Sequence, residues 1–348
     1  MFGEILGFKR FTSSLEVIRR SQQTVFGITD MPKPQTFCRR SVGQVSYIGL
    51  ACAIEARKAG ASVLVLEKMR AYGGNSTING GIMSVPGNAA QKKLGIKDSP
   101  ELLAEDMIRE GLGYNYPDKV LTMAKQAMAT YEWTVNELHV EWIPDRVGAE
   151  GGHSVPRHLF TVNGSGSEIV KKEYDYCKKL GVEVRLRTYV EEIIRDGDGR
   201  VKGLKVREGY RFPDAKSGKV KFIRARKGVA LCYGGFGADV KFRMKFDPKL
   251  TDKFDTTNQP GAKPMGTAPF YCSILSPKVH HCMGGVETNN KGQVIDIKTD
   301  NPIAGLYAAG EATGGVLGAV RLGSCATLDC LVNGRIIGKE IAKEKPWC

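Results

Sequence analysis

Three kinds of residue in this chain have types and spacings that suit chemistry. One is an acid placed to hold sugar hydroxyls. Another is a set of glycine turns able to lie against a flat ligand, and the third is an arginine able to grip a carboxylate. Glu67 follows the apolar run Ser62-Val63-Leu64-Val65-Leu66 and lies 18 residues past Gly49. That spacing suits a dinucleotide unit, in which a tight glycine turn sets a pyrophosphate on a helix N-terminus and an acid after the second strand binds ribose. The first two fingerprint positions hold Gln44 and Ser46, so the fingerprint is broken and any β/α repeat would give the same pattern. In Gly73-Gly74-Asn75-Ser76-Thr77-Ile78-Asn79-Gly80-Gly81, small residues let a loop approach a flat cofactor while amides and hydroxyls bond phosphate and ring edges. Adjacent His280 and His281 would face opposite ways on a strand, one toward a site and one toward the core. No further ligands at suitable spacing support zinc there. Arg321, in the glycine-flanked stretch from Gly305 to Asp329, has the fork geometry to bind a carboxylate bidentately.

These residues need a scaffold. Leu50 to Ala59 reads as an Ala-rich helix with Gly60 just past its end, followed by the buried strand 62–66. Residues 100–112, after Ser99-Pro100, and 117–139 read as helices, as does 168–180, ended by Gly181. Strand patterns at 182–187, 189–194, 200–207 and 219–225, with an Asp196-Gly197-Asp198-Gly199 turn, contain a small antiparallel meander. Val229–Tyr233 and Gly305–Ala309 are further strands, running into Gly234-Gly235 and Gly310-Glu311, and 326–343 is a closing helix. Residues 1–43 read as irregular. The pattern is α/β, a doubly wound sheet with insertions.

Composition narrows the function classes. The 348 residues carry a net charge of +14, which in an enzyme fits an anionic cofactor and substrate. No basic block with interleaved aromatics marks a nucleic-acid groove. The nine cysteines are scattered, form no C-x-x-C-H, and suit reduced, buried thiols. No segment has the apolar length of a membrane span, and no secretory h-region is visible. The expected location is cytoplasmic. The first 40 residues, with seven Lys/Arg, resemble a mitochondrial presequence in part, against which Glu4 and Glu16 count.

In order and combination, GLACAIEARKAGASVLVLEK, GGNSTINGGI, EGGHSVPRH, GVALCYGGFGADV, TTNQPGA, PKVHHCMGG and GLYAAGEATGGVLGAVRLG resemble the flavoprotein subunit family of fumarate reductase and succinate dehydrogenase. The nearest branch is that of the soluble flavocytochrome c fumarate reductases and urocanate reductases. The resemblance implies a doubly wound, Rossmann-like FAD-binding domain. It places Glu67 on the adenosine ribose; Gly49, Lys68, Gly74, Asn75, Ser76, Gly80 and Gly81 along phosphates and flavin; and Val190 at the adenine. Gly235, Gly310, Glu311, Ala326 and Thr327 fall at the flavin and its ribityl chain. With no histidine in the loop 73–81, the FAD is expected to be non-covalent. The family moves a hydride from flavin N5 to a C=C bond beside a carboxylate. His281 and Arg321 would be catalytic and would clamp the small unsaturated carboxylate, with Gly81 and Ser324 beside it. Electrons would come from an external donor, a reduced flavin or another subunit.

The chain also departs from the family. Gly261-Ala262 passes directly to Lys263-Pro264-Met265-Gly266, so the capping domain that carries the proton-donating arginine is expected to be largely missing between 262 and 268. The FAD-binding domain then comprises 44–262 and 263–348. Ser324-Cys325 replaces a Gly-Asn pair, and His153 and Arg157 stand as candidate surrogate acids. Two alternatives follow: a catalytically impaired flavin-binding remnant, and an NAD-binding dehydrogenase, which the second glycine loop and Gly310-Glu311 fit less well than FAD.

Overall fold

A computed structural model describes residues 40–41, 45–254 and 280–347. In chain order, β1 (Arg40–Ser41) leads to α1 (Tyr47–Lys58), β2 (Ser62–Leu66), α2 (Gly74–Ile78), β3 (Ile82–Ser84) and α3 (Ala89–Lys93). A helical stretch follows: α4 (Pro100–Glu110), α5 (Pro117–Lys125) and α6 (Ala127–Asn136). Then come β4 (His158–Phe160), α7 (Ser167–Lys179), β5 (Glu183–Arg185), β6 (Thr188–Arg195), β7 (Val201–Glu208) and β8 (Lys219–Arg224). Last are β9 (Val229–Leu231), α8 (Val240–Arg243), β10 (Gln293–Asp296), β11 (Asn301–Ala308) and α9 (Cys325–Lys343).

The sheet pattern is that of a doubly wound domain. Among the described residues it forms two halves. β1, β2 and β5 are parallel, and β9 runs parallel to β11, which pairs antiparallel with β10. β6, β7 and β8 form the antiparallel meander. Four of the five residues of β2 are buried, as its unbroken apolar run requires. The sequence reads as irregular up to residue 43, yet Arg40 and Ser41 lie in parallel register with Ser62 and Val63. Backbone pairing needs no apolar side chains, only donors and acceptors left open on β2. The helix expected over 117–139 divides at Gln126, whose N–H is shared between the carbonyls of Thr122 and Met123. The expected helix 100–112 stops at Glu110, because Leu112 takes the left-handed φ of 55°.

The first and last helices pack with their backbones in contact. A Cβ on Gly334 would lie 2.8 Å from the Ile48 carbonyl oxygen, and one on Gly338 would lie 2.4 Å from that of Cys52. Four residues separate each pair, so α1 and α9 run in the same direction with their backbones in contact. Beside this seam Arg335 donates to Glu55 Oε1 at 2.9 Å and to Thr130 Oγ1 at 3.1 Å, tying α9 to α1 and α6. Around it, apolar residues of α1, α4–α7 and α9 make one continuous core. A second core joins β2 to the meander, β9 and β11.

One buried group works against stability. Glu173 on α7 is fully buried, both carboxylate oxygens lack partners among the described residues, and burial pushes its pKa well above the carboxylate range. A raised folded-state pKa costs stability as pH rises above the unfolded value of 4.5. Glu173→Leu is therefore expected to raise Tm, and to raise it more at pH 8 than at pH 5. Gly338→Ala should lower unfolding free energy by about 1–3 kcal/mol through overpacking, despite alanine's helix preference of about 1 kcal/mol. Chemical denaturation of the purified variant checks this.

Candidate functional site

At the end of β2, Glu67 is buried and its Oε1 accepts from the Met69 amide at 2.9 Å. The Thr188 amide donates to the Glu67 carbonyl at 2.8 Å, which brings the start of β6, and with it Val190, beside the acid. Lys68 is half-buried next to Glu67. Burial lowers its pKa, and the Glu67 charge offsets part of that.

The loop 73–81 folds over the start of α1. Ser46, the N-cap of α1, makes no side-chain cap; instead Ser76 Oγ accepts from the Tyr47 amide at 3.3 Å. Asn79 Oδ1 accepts from the Gly81 amide at 2.8 Å, and Asn79 Nδ2 donates to the Ser76 carbonyl at 2.8 Å. Gly81, at φ 61°, presses on Thr161 and Ser165, where a Cβ would fall 2.2 Å from Thr161 Oγ1. Gly49 lies buried within α1, and Gly74, Asn75 and Gly80 are exposed along the loop.

A second set of turns closes from the C-terminal half. The Cys282 amide donates to Glu311 Oε1 at 3.0 Å, and the Phe236 amide donates to Cys282 Sγ at 3.1 Å. A Cβ on Gly235 would lie 2.3 Å from Glu311 Oε1. Burial raises the Glu311 pKa, opposed by the Cys282 amide, the Arg321 charge and the Gly235 amide. Gly310, at φ 66°, sits where a Cβ would meet Ile48 of α1 at 2.9 Å. The turns at 73–81 and 310–314 thus meet at the N-terminal end of α1, and those at 234–236 and 282–286 join them through Glu311 and Ala312.

Arg321 lies just before α9 and donates through Nη2 to His280 Nε2 at 2.9 Å. A donated guanidinium proton requires a lone pair, so His280 is neutral at Nε2; burial and the Arg321 charge lower its pKa. His281 is half-buried, and its Nδ1 has no hydrogen-bond partner among the described residues. Burial, Arg321 and His280 push its pKa down to about 3. Arg321 thus hydrogen-bonds His280, and its charge also bears on His281, the residue the sequence singled out. Alternation along an extended segment shows that the two histidines diverge but does not say which meets the arginine. Ser324, at φ 55°, turns its hydroxyl to Ser84 Oγ, 2.7 Å away. It does not cap α9, so Ala326 and Thr327 stand in a first turn with no side-chain cap from Ser324.

Below Arg321 lies a cluster that the sequence did not reveal. Arg157, fully buried, donates to both oxygens of Asp98 at 2.9 and 3.0 Å and to Asp106 Oδ2 at 2.6 Å. Burial alone would raise the Asp106 pKa; the Ser154 hydroxyl and amide, then Arg157 and Arg109, hold it at about 2. Arg157 also donates to His153 Nδ1 at 2.9 Å, so His153 carries its proton on Nε2, 3.0 Å from the Gly323 carbonyl and 2.9 Å from His158 Nε2. These bonds commit Arg157 to its two carboxylates and make His153 a strut under the Arg321 turn.

The geometry fits an extended dinucleotide. A Cβ on Gly74 (φ 48°) or Gly234 (φ 75°) would meet nothing within 4 Å, so these turns border open space on either side of the converged loops. The Thr77 hydroxyl, buried in the first loop, has no partner among the described residues. Ser46, at the second fingerprint position, takes an extended φ of −137°, so its backbone does not demand glycine.

Comparisons with known proteins agree with this geometry. The chain matches the family described as FAD binding domain over residues 49–263 and 240–327. It is 27% identical to the acrylate reductase flavoprotein subunit of Shewanella woodyi over 446 residues, covering 83% of this chain and 88% of that protein. That alignment is longer than the 348-residue chain, so a long internal gap opens on this side. Identity with urocanate reductase of Eggerthella lenta is 37% over 216 residues, 62% of this chain but 34% of that protein. In fold, the open conformation of a flavocytochrome c3 fumarate reductase superposes with a TM-score of 0.78 at 21% identity, covering 89% of this chain and 79% of that one. The shared fold with only partial coverage fits a largely missing capping domain. Among the described residues no helix is long and apolar enough to cross a membrane.

Arg157→Met should cost about 3–5 kcal/mol, because it leaves two buried carboxylates uncompensated; the urea midpoint reads it. Asp106 has a depressed pKa, so its contribution is present above the unfolded value of 3.8 and is lost as pH falls toward 2. The cost of Arg157→Met should accordingly shrink in that acid window.

Proposed function

Because this chain belongs to the FAD binding domain family, and is an FAD-binding oxidoreductase related to acrylate, urocanate and fumarate reductases, we propose that it reduces the C=C bond of a small unsaturated carboxylate. The observation that carries the reading is the Arg321–His280 pair at the edge of converged glycine turns, since a cofactor fold alone says nothing of substrate.

In this reading Glu67 holds the adenosine ribose, and Val190 approaches the adenine. Gly49, Lys68, Gly74, Asn75, Ser76, Gly80 and Gly81 follow the phosphates toward the flavin. Gly235, Gly310, Glu311, Ala326 and Thr327 flank the ring and ribityl chain. FAD, held without a covalent bond, supplies the hydride chemistry when reduced. Arg321 grips the substrate carboxylate with His280 beside it, while His281 fills the wall behind. The guanidinium fixes the conjugated bond in one orientation and stabilises negative charge that builds on the carboxylate-bearing carbon. The α9 N-terminus adds the positive end of a helix dipole near Ala326 and Thr327. His153 keeps the Gly323 carbonyl, and so the Arg321 turn, in place. Electrons arrive from outside the chain, from a reduced flavin or another subunit.

The long alignment gap favours a second reading, a flavin-binding protein without turnover, because the proton donor of the family belongs to the missing cap. One experiment separates them. The FAD-loaded protein is reduced anaerobically and mixed with acrylate, urocanate or fumarate. Reoxidation of the flavin absorbance by an enoate supports reduction, and Arg321→Ala should slow it by at least a hundredfold. Reoxidation by oxygen alone leaves only the second reading.

A further inference from the structure

The charges around Arg321 select among carboxylates. Its partner His280 is neutral, because Nε2 accepts the guanidinium proton. Its neighbour across the turn is an acid. Gly323, two residues along, packs so closely on Glu150 that a Cβ there would lie 1.7 Å from Glu150 Oε2 and 2.8 Å from Glu150 Cδ. Glu150 also bears electrostatically on both His280 and His153. The other cations near this turn are already matched. Arg157 faces Asp98 and Asp106, and Arg109 faces Asp106 and Glu110. His153 accepts from Arg157 and stays neutral. Among the described residues the mouth therefore offers one cation, Arg321, with the exposed Glu150 carboxylate by its turn and the half-buried Glu311, its pKa raised by burial, behind it.

Given an enoate reductase of the kind proposed above, we infer that its substrate is a monocarboxylate and that Glu150 disfavours dicarboxylates. Arg321 and Glu150 cancel, so a singly charged enoate leaves the cluster with one net negative charge and a dianion leaves it with two. A dianion adds a second carboxylate beside a turn that already carries the Glu150 carboxylate. A like-charge contact of this kind in a water-exposed site weakens binding by about fivefold. Selection by repulsion needs no extra contact to the favoured ligand.

The test compares two ligands of one skeleton, fumarate and its monomethyl ester, titrated calorimetrically into the oxidised, FAD-loaded protein at pH 7.5. The monoester is expected to bind at least fivefold more tightly. Glu150→Gln, an exposed and isosteric change, should strengthen fumarate about fivefold more than it strengthens the ester. Tighter binding of fumarate by the unaltered protein, or an equal effect of the substitution on both ligands, overturns the inference and leaves the enoate reading intact. Binding of neither ligand overturns the carboxylate clamp itself, and the inference with it.

Discussion

Two helices from opposite ends of the chain touch backbone to backbone, and the site depends on that contact. Gly334 and Gly338 of α9 admit the Ile48 and Cys52 carbonyls of α1, which no side chain at those positions would allow. The helices are parallel, so their N-terminal ends point the same way. Gly334 lies nine residues past Cys325, and its partner Ile48 is the second residue of α1, so α9 reaches about 12–14 Å further. Two helix starts, each with the partial positive charge of unsatisfied amides, are thus presented in a staggered row. That row has the form of a bed for a long, anionic, two-headed cofactor.

The glycine turns complete the bed from four distant parts of the chain. Each is held by a different device. Ser76 and Asn79 bind the first loop to α1, Glu311 gathers the Cys282 and Gly235 turns, and Gly310 lies against Ile48. The gap in the alignment with acrylate reductase and the partial coverage of the flavocytochrome structure fit a largely missing capping domain. Among the described residues Arg321 and Glu150 approach one turn from two sides and give this edge of the site charges of both signs.

Much of the fold was legible because its signals are local. Gly60 ends α1, an unbroken apolar run makes β2, Ser99-Pro100 starts α4 with the Ser99 hydroxyl accepting from the Leu102 amide, and the Asp196–Gly199 turn joins β6 to β7. What was not legible depends on contacts distant in sequence. β11 begins at Asn301 because β10 pairs with it there, and β3 and β4 exist only as each other's partners. Asp98, Asp106 and Arg157 show no periodic pattern; only folding brings them together. The choice between His280 and His281 turns on which face of an extended segment meets Arg321, and a sequence with adjacent histidines leaves that open.

The Arg157 cluster has a further consequence, an entropic one. Its charges are fully desolvated and mutually satisfied, so opening it would expose three ions at once. Through His153 that resistance to opening reaches the Gly323 carbonyl. Arg321 therefore meets an incoming anion already held at the base of its turn, and little ordering cost is charged against binding. Such preorganisation raises affinity by cutting the ordering cost of binding.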